Sequence, residues 1–481
     1  MESNSLTSLP AVDLAEAIRR RELSCVEVAQ AHLDQIEQHN PALNAMVTLT
    51  PDLGLEQAQT LDQRLARGES IGPLGGLPVA HKDLHLTRGV RTTFGSLVYA
   101  DHVPDENALI VDRMQQAGAV MLGKTNTPEF GAGSHTFNEV FGATRNPYNP
   151  SRSCGGSSGG AAVALAAGLV SLADGSDMGG SLRNPAAWCN VVGLRPTPGR
   201  VPSWPAGDVQ TTLPVEGPMG RTVQDVALLL QAIAGPDARC PWSEKLGANP
   251  IVGDLERDFE GVRIAASPDF GGALPLVPDM PRFVENAASV FSDAGATVEV
   301  DLPDLSGVDE TFRTLRAALY ANLLGPDLDR KKDQYKSSLV WNVKQGLMLS
   351  KAQIAAAGQI QLDIRHRFDQ FFEWYDFLLL PVTQVHPFPV EDEYPTEIAG
   401  ETLSTYLDWM RSCYYVTVPG HPAISVPAGF TADNLPVGVQ IVGRWGDDFG
   451  VLQAAYALQE ATGYWRQGPP LAAGSPEEKD A

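Results

Sequence analysis

Two turns built from glycine and serine carry the most specific chemistry in this chain. The first is Gly155-Gly156-Ser157-Ser158-Gly159-Gly160, and the second is Asp177-Met178-Gly179-Gly180-Ser181-Leu182-Arg183. Glycine lets backbone approach backbone and leaves N–H groups free to converge on an anion. A serine between glycines offers a hydroxyl nucleophile that no bulky neighbour blocks. The apolar run between the turns, Ala161 to Ala173, predicts a buried helix over 161–167 that starts at the first glycines, with Gly168 and Gly175 marking its exit. Such an element would hold the two serine turns at a fixed separation. The third candidate is Lys82, in His81-Lys82-Asp83 at the carboxyl end of the short apolar strand Leu77–Ala80. Burying an ammonium is costly unless it is paired, so Lys82 is either solvated past the strand's edge or a buried amine with a task.

Three other patterns compete. Gly155-x-Ser157-x-Gly159 satisfies the nucleophile-elbow pattern of Ser-His-Asp hydrolases, and His366, His386 and His421 are available downstream. That reading leaves the second serine turn and Lys82 without a role. Gly118-x4-Gly123-Lys124-Thr125 formally matches a phosphate-binding loop. Its middle residues are apolar and strand-like, and Asn126-Thr127-Pro128 is a turn where a helix is required, so the match is rejected. His81 and His85 stand four apart, a metal-pair spacing on a helix, but their strand context argues against it.

The elements that must position these residues follow from periodicity. Residues from Pro10 to Asn40 are expected to be helical, with Ser24 and Glu27 forming a capping box and Pro41 ending the region. Helices are predicted over Asn107–Ala117 and Arg221–Ala234, with a buried strand at Ala119–Leu122 between the first of them and the serine turns. Asn184-Pro185 opens a short helix through Trp188, and Val191–Arg200 returns as extended chain and turn. Val262–Ala266, Pro281–Ala294 and Ala296–Val300 read as a βαβ unit. Residues 308 to 375 are mostly helical, and charge runs such as Asp327–Lys332 are a solvated face. Asp376–Thr383, Pro422–Pro427 and Pro436–Gly443 are core strands, a last helix covers Phe449–Ala461, and the polar tail after Pro469 is expected to be mobile.

Bulk properties narrow the class. The chain has 481 residues with 43% hydrophobic content, enough for a sizeable core. Lys and Arg number 35 against 58 Asp and Glu, a net charge of −23 that argues against nucleic acid as a partner. The five cysteines (Cys25, Cys154, Cys189, Cys240, Cys413) are scattered without a CxxC pair, so neither a disulfide framework nor a zinc knuckle is expected. Residues Met1–Thr7 hold neither a basic nor an apolar leader region, and no apolar run reaches membrane-spanning length; a cytoplasmic protein with no membrane partner is expected.

Taken together, Lys82 after an apolar strand, the Gly-Gly-Ser157-Ser-Gly-Gly turn and Gly175-Ser-Asp177-Met-Gly-Gly-Ser181-Leu-Arg183-Asn-Pro-Ala resemble, in order and spacing, the three catalytic segments of the amidase signature family of serine hydrolases. The likeness continues through Gly193-Leu-Arg-Pro-Thr, Gly420-His-Pro-Ala-Ile-Ser and Leu435-Pro-Val-Gly-Val-Gln, and covers most of the chain outside 240–400. The resemblance implies an α/β fold, a large mixed β-sheet core surrounded by α-helices, with a variable helical cap region. It implies one domain: an N-terminal helical layer over 1–70, a catalytic core over 71–245, the cap over 246–400, returning strands and helix over 401–470, and the tail over 471–481.

The same resemblance implies roles. Ser181 is the nucleophile, Ser157 relays a proton from it, and Lys82 is a base that must rest uncharged. Ser157 follows a cis peptide from Gly156. The N–H groups of Met178, Gly179, Gly180 and Ser181 form an oxyanion hole, and Asp177 and Arg183 fix the turn behind it. The reaction implied is hydrolysis of an amide, or a similar carbamate or ester, through an acyl-enzyme, with no metal and no organic cofactor. The partner is then a small-molecule amide or carbamate, and oligomeric state is not readable. Ser158 is read as turn packing. Leu339, Trp341, Leu347, Met348 and Trp374 are read chiefly as core packing of the cap, with substrate shape as the alternative. Within the family, the alternative is the glutaminase-like subunit of tRNA-dependent amidotransferases, from whose usual motif Trp204-Pro-Ala-Gly-Asp-Val departs.

Overall fold

The computed structural model describes residues 6–205, 211–245 and 253–471. The terminal segment 472–481, and 206–209 of the Trp204–Val209 motif, lie outside them. Helices α1 (Ala11–Arg19) and α2 (Cys25–Leu43) open the chain. The Ser24–Glu27 capping box forms as read. Pro41 does not end α2, which runs on to Leu43 and stops at Asn44 in the left-handed conformation (φ 50°). A proline in the last turn removes one helical hydrogen bond without breaking the element. Next come β1 (Met46–Leu49), α3 (Pro51–Ala66), β2 (Pro78–Lys82), α4 (Leu109–Gln116) and β3 (Val120–Thr125).

The serine turns bracket α5 (Gly159–Ala166) and β4 (Leu172–Asp177). The apolar run 161–173 is therefore helix followed by strand. Gly168 does end the helix region (φ +69°), whereas Gly175 lies inside β4. Then follow α6 (Arg183–Cys189), β5 (Val192–Arg195), β6 (Val215–Gly220), α7 (Val223–Ile233), β7 (Arg263–Ala266), α8 (Pro281–Asp293) and β8 (Thr297–Val300). Helices α9 (Val308–Leu324), α10 (Ser337–Leu347) and α11 (Lys351–Phe371) form the expected helical stretch. Strand β9 (Phe377–Pro381), helix α12 (Arg411–Thr417), strands β10 (Ala423–Phe430) and β11 (Pro436–Gly443), and helix α13 (Asp448–Thr462) complete the chain.

All eleven of these strands form one mixed sheet, in the order β1-β3-β2-β4-β6-β5-β10-β11-β9-β7-β8. The βαβ unit read at 262–300 is present, with β7 and β8 parallel. Strands β1 and β6 carry little strand signal: β1 is a four-residue edge strand, and β6 contains Gly217, Pro218 and Gly220, residues disfavoured in strands. Tertiary pairing of β6 with β4 on one side and β5 on the other overrides that preference.

The part of the sheet that matters for chemistry is local. Strand β2 is buried at every residue and runs parallel to both β3 and β4. Parallel neighbours end on the same edge, so Lys82 at the end of β2 and Ser176-Asp177 at the end of β4 emerge together. Helix α5 feeds back from that edge, placing Ser157 and Ser158 at its amino end. Helices α9 and α12 bring in an aromatic layer in which Phe312 stacks on Tyr414 at 4.0 Å, while Trp188 of α6 stacks on Trp409 at 5.4 Å. Of the cap residues singled out above, Leu339 is buried and Trp341 packs on the core, as core packing requires, but Leu347, Met348 and Trp374 are more than half exposed. Apolar type alone does not say which side of a helix faces inward.

Helix α5 packs backbone to backbone. A Cβ at Gly160 would lie 2.3 Å from the Asn126 amide nitrogen and 2.7 Å from the Ala45 carbonyl oxygen. Alanine gains about 1 kcal/mol over glycine in a helix, but backbone atoms on neighbouring elements cannot swing aside as a side chain can. Gly160→Ala is expected to lose about 2–3 kcal/mol net, read as a lower urea midpoint; an unchanged or higher midpoint would refute this packing.

Candidate active site

The three candidates meet at the edge where β2 and β4 end. Lys82 is fully buried, and its Nζ lies 2.7 Å from Ser157 Oγ, 2.8 Å from Ser158 Oγ and 3.1 Å from Ser176 Oγ. The Gly156–Ser157 peptide is cis. Ser157 and Ser181 line one cavity of about 170 Å³, together with Ser176, Asp177, Met178 and Gly179. The turns are tied directly, since the Ser158 N–H donates to the Ser181 carbonyl at 3.1 Å. Among the described residues, no hydrogen bond joins the Ser157 and Ser181 hydroxyls in this resting arrangement.

Electrostatics make Lys82 unusual. Burial pushes its amine down from the ordinary lysine value to about 7, against the pull of Asp177 and Asp174, whose charges raise it. Neither carboxylate is hydrogen-bonded to the amine. Asp174 Oδ1 accepts the Lys82 backbone N–H (2.8 Å) and His85 Nδ1 lies 2.8 Å from the same oxygen, while Oδ2 takes a short bond from His81 Nδ1. Burial alone would raise Asp174, but His85 and His81 hold it well below the usual carboxylate range. His81 and His85 thus converge on one aspartate, which accounts for their four-residue spacing.

Asp177 organises the second turn. Its carboxylate accepts from the N–H groups of Gly180 (2.9 Å) and Leu182 (3.1 Å), and from Arg183 Nε and Nη2 (each 3.1 Å). Arg195 Nη1 donates to the Asp177 carbonyl at 2.7 Å. Burial would raise this carboxyl, yet Arg183 and Arg195 hold it at about 2. Arg183 also reaches Gln440 Oε1 (2.8 Å), Thr417 Oγ1 (3.0 Å) and the Cys413 carbonyl (3.1 Å), which locks the turn to β11 and α12. Gly180 has φ +106°, and a Cβ there would stand 2.3 Å from the Cys413 Cβ, so the turn admits glycine alone. The Gly180 N–H expected in an oxyanion hole is already taken by Asp177.

The other competing patterns resolve in place. Lys124 sits fully buried in β3, donating to the His85 carbonyl and to Thr87 Oγ1 (2.8 Å), and cradles no phosphate-type loop. His421 Nδ1 faces the Gly443 carbonyl, His386 Nε2 faces Asp279, and His366 pairs with Gln370, each apart from the serine cavity. Sequence reasoning missed Ser176 and Asp174, and gave Ser158 only turn packing. Ser158 and Ser176 had a faint signal, since both sit in the glycine-rich turns. Asp174 had none, because its partners lie about ninety positions away in the sequence.

A second, larger cavity of about 480 Å³ opens beside the first and shares Leu84, Phe130, Ser176, Met178 and Pro214 with it. Its further walls are mostly apolar, with Phe94, Val201, Trp242, Leu319 and Leu323. Among the described residues Glu216 is its one carboxylate, pushed up to about 6 by burial against the opposing pull of His85.

Comparison with known proteins agrees with this geometry. The sequence matches the family described as Amidase over residues 27–452. It is 36% identical over 487 residues to a glutamyl-tRNA(Gln) amidotransferase subunit of Moorella thermoacetica, covering 96% of this chain and 98% of that one. It is 34% identical over 475 residues to an acylamidase of Rhodococcus erythropolis, covering 98% of each. Among solved structures, a bacterial aryl acylamidase of the amidase signature family superposes with a TM-score of 0.88 at 30% identity, covering 96% of this chain and 99% of that one. A 6-aminohexanoate cyclic dimer hydrolase superposes with a TM-score of 0.84 at 28% identity, covering 97% and 99%. This chain belongs to the amidase signature family. It is a member of a group of amide-hydrolysing enzymes that includes both amidases and amidotransferase subunits. Among the described residues, no helix is long and apolar enough to cross a membrane.

Asp174 is the hinge of this electrostatic arrangement, because one carboxylate serves two histidines and a backbone N–H. Asp174→Asn is expected to cost about 1.5–3 kcal/mol of folding stability, the range for a hydrogen bond to a charged group. Denaturant unfolding at pH 7 reads it, and a loss below about 1 kcal/mol would show that the histidines do not depend on this charge.

Proposed function

We propose that the protein is a stand-alone amidase in which Ser181 is the nucleophile, Ser157 the proton relay and Lys82 the base. The observation that carries this reading is the buried Lys82 amine, whose side-chain hydrogen-bond partners are hydroxyls alone. An amine in that setting is uncharged near neutral pH and can accept a proton from Ser157, which in turn takes one from Ser181. The Ser181 Oγ then bonds to the carbonyl carbon of the amide. The N–H groups of Met178, Gly179 and Ser181 receive the developing oxyanion, with the Gly180 N–H holding the turn through Asp177. The C–N bond breaks as the amine leaves with the relayed proton, and water releases the acyl group from Ser181 by the reverse relay. Rotation of the Ser181 side chain toward Ser157 completes the chain of hydroxyls. Carbamates and esters pass through the same tetrahedral chemistry and are secondary substrates in this reading.

The apolar second cavity favours amides with a bulky apolar or aryl group, in keeping with the acylamidase relatives. The amidotransferase relatives favour a second reading, glutamine hydrolysis within a complex with partner subunits. Hydrolysis of an anilide by the isolated chain, with no ammonia from glutamine, supports the first; the converse supports the second.

Four outcomes test the mechanism. Lys82→Ala should retain less than about a tenth of wild-type amide turnover, given the size of general-base effects. His421→Ala and His386→Ala should retain wild-type turnover, and a fluorophosphonate should label wild-type protein but not Ser181→Ala. The pH dependence has a definite sign: because Lys82 is depressed to about 7, kcat/KM should climb as pH rises through about 7 and level off above it. A rising limb near pH 10 instead would mean that an ordinary, solvated lysine is titrating.

A further inference from the structure

The wall of the serine cavity holds a cation that the mechanism does not use. Arg316, on α9, is 3% exposed and lines the same cavity as Ser157 and Ser181. One turn earlier on α9, Arg313 is ion-paired with Asp309 (2.8 Å) and Asp408 (2.5 Å). Arg316 has no such pair among the described residues, and its Nη1 is buried with no hydrogen-bond partner. The guanidinium packs instead on the Tyr320 ring at 4.6 Å and the Tyr406 ring at 5.4 Å. Tyr320 is itself pinned, its hydroxyl donating to the Phe130 carbonyl at 3.2 Å. Two aromatic faces therefore hold the guanidinium, and the Tyr406 hydroxyl also acts on it, while Nη1 is left without a hydrogen-bond partner among the described residues.

The nearby cation is answered. Lys336 Nζ donates to the Ala132 carbonyl, its backbone N–H donates to Glu129 Oε2 (2.8 Å), and Glu393 and Glu129 both act on its charge. Arginine stays charged at all accessible pH values, and a buried charge without a partner is unfavourable enough that it marks a place where a partner arrives. Its planar donors suit a carboxylate, which can accept two parallel N–H bonds. The overall charge of −23 would repel an anion, so recognition of one must be local, as it is here.

We infer that Arg316 is a substrate-binding residue for the carboxylate of an anionic amide, so that the preferred substrates carry a carboxylate a few bonds from the scissile carbonyl and an apolar group that enters the larger cavity. This rests on the amidase reading above and narrows it to a substrate class. The carboxylate docks on Arg316, the amide carbonyl lies over Ser181, and the apolar group passes Met178 and Phe130 into the space lined by Trp242 and Leu323. Glu216 in that second cavity adds selectivity by repelling an anion that enters in the reverse sense.

The test uses anilides of linear dicarboxylic acids with two to four methylenes, each compared with its methyl ester of nearly equal shape. The first arm is equilibrium binding to the full-length Ser181→Ala protein, which needs no turnover. At least one acid should bind at least about tenfold more tightly than its ester, the size expected of a charged hydrogen bond. That preference should vanish when Arg316→Gln is added and survive in part in Arg316→Lys. Equal binding of acid and ester throughout the series overturns the inference, and this comparison stands even if an Arg316 variant fails to fold. The second arm is kcat/KM for the same pairs in wild type and Arg316→Gln. The acid should lose at least about tenfold more than the ester, chiefly through KM; an equal loss on both would make Arg316 merely structural and overturn the assignment. Anion-selective binding without hydrolysis of any member would leave the carboxylate site standing and refute the amidase reading instead.

Discussion

The arrangement depends on keeping one amine dry. A lysine at the end of a solvated strand would hold its proton until far above neutral pH and would be useless as a base. Here β2 is flanked on both sides by parallel strands and covered by α5, so the Lys82 stem and amine never meet bulk water. Desolvation outweighs the attraction of two aspartates within Coulombic range. That balance is possible because each aspartate has been given other partners: Asp174 answers two histidines and a backbone N–H, and Asp177 answers two arginines and two turn N–H groups. The negative charges stabilise the shell around the amine without hydrogen-bonding to the amine itself.

The same division of labour explains why the second serine turn is so rigid. Asp177, Arg183 and Arg195 form a fully buried charged group that would be costly in isolation. Its hydrogen bonds reach Thr417, Gln440 and Leu213, so elements from three separate stretches of chain converge on one turn. A turn fixed from several sides can hold N–H groups toward a developing oxyanion without reorganising, which is the condition under which such donors are most effective.

The cavity walls are built from different material. The proposed catalytic edge comes from residues before 200, but the walls around it are drawn from α9 and from loops near Phe130, Pro214 and Trp242. Helix α9 contributes both an apolar face, through Leu319 and Leu323, and the buried guanidinium of Arg316. Walls that come from outside the catalytic segments can change without disturbing the chemistry. Such a division suits a family whose members are named for molecules as different as aryl amides, a cyclic amide dimer and glutamyl-tRNA.

What the sequence by itself determined are the features set by local physics. Glycine at Gly179 and Gly180, serines between glycines, an apolar strand ending in lysine, capping boxes at Ser24 and the long helical spacings of the cap are written in neighbouring residues, and the resemblance they carry led to the family. Local signals failed where neighbours in space are far apart in the chain. Nothing near Asp174 announces that His81 and His85 share it. Strand β6, rich in glycine and proline, forms because β4 and β5 pair with it. Pro41 is tolerated because it falls in a last turn, and Leu347, Met348 and Trp374 are exposed because packing, and not residue type, chooses the inward face. Tertiary structure alone decided that Ser158 and Ser176 join Ser157 on the Lys82 amine and that Arg316 is buried without a counter-ion among the described residues, since burial and pairing are properties of the assembled core and have no meaning along a single strand of sequence.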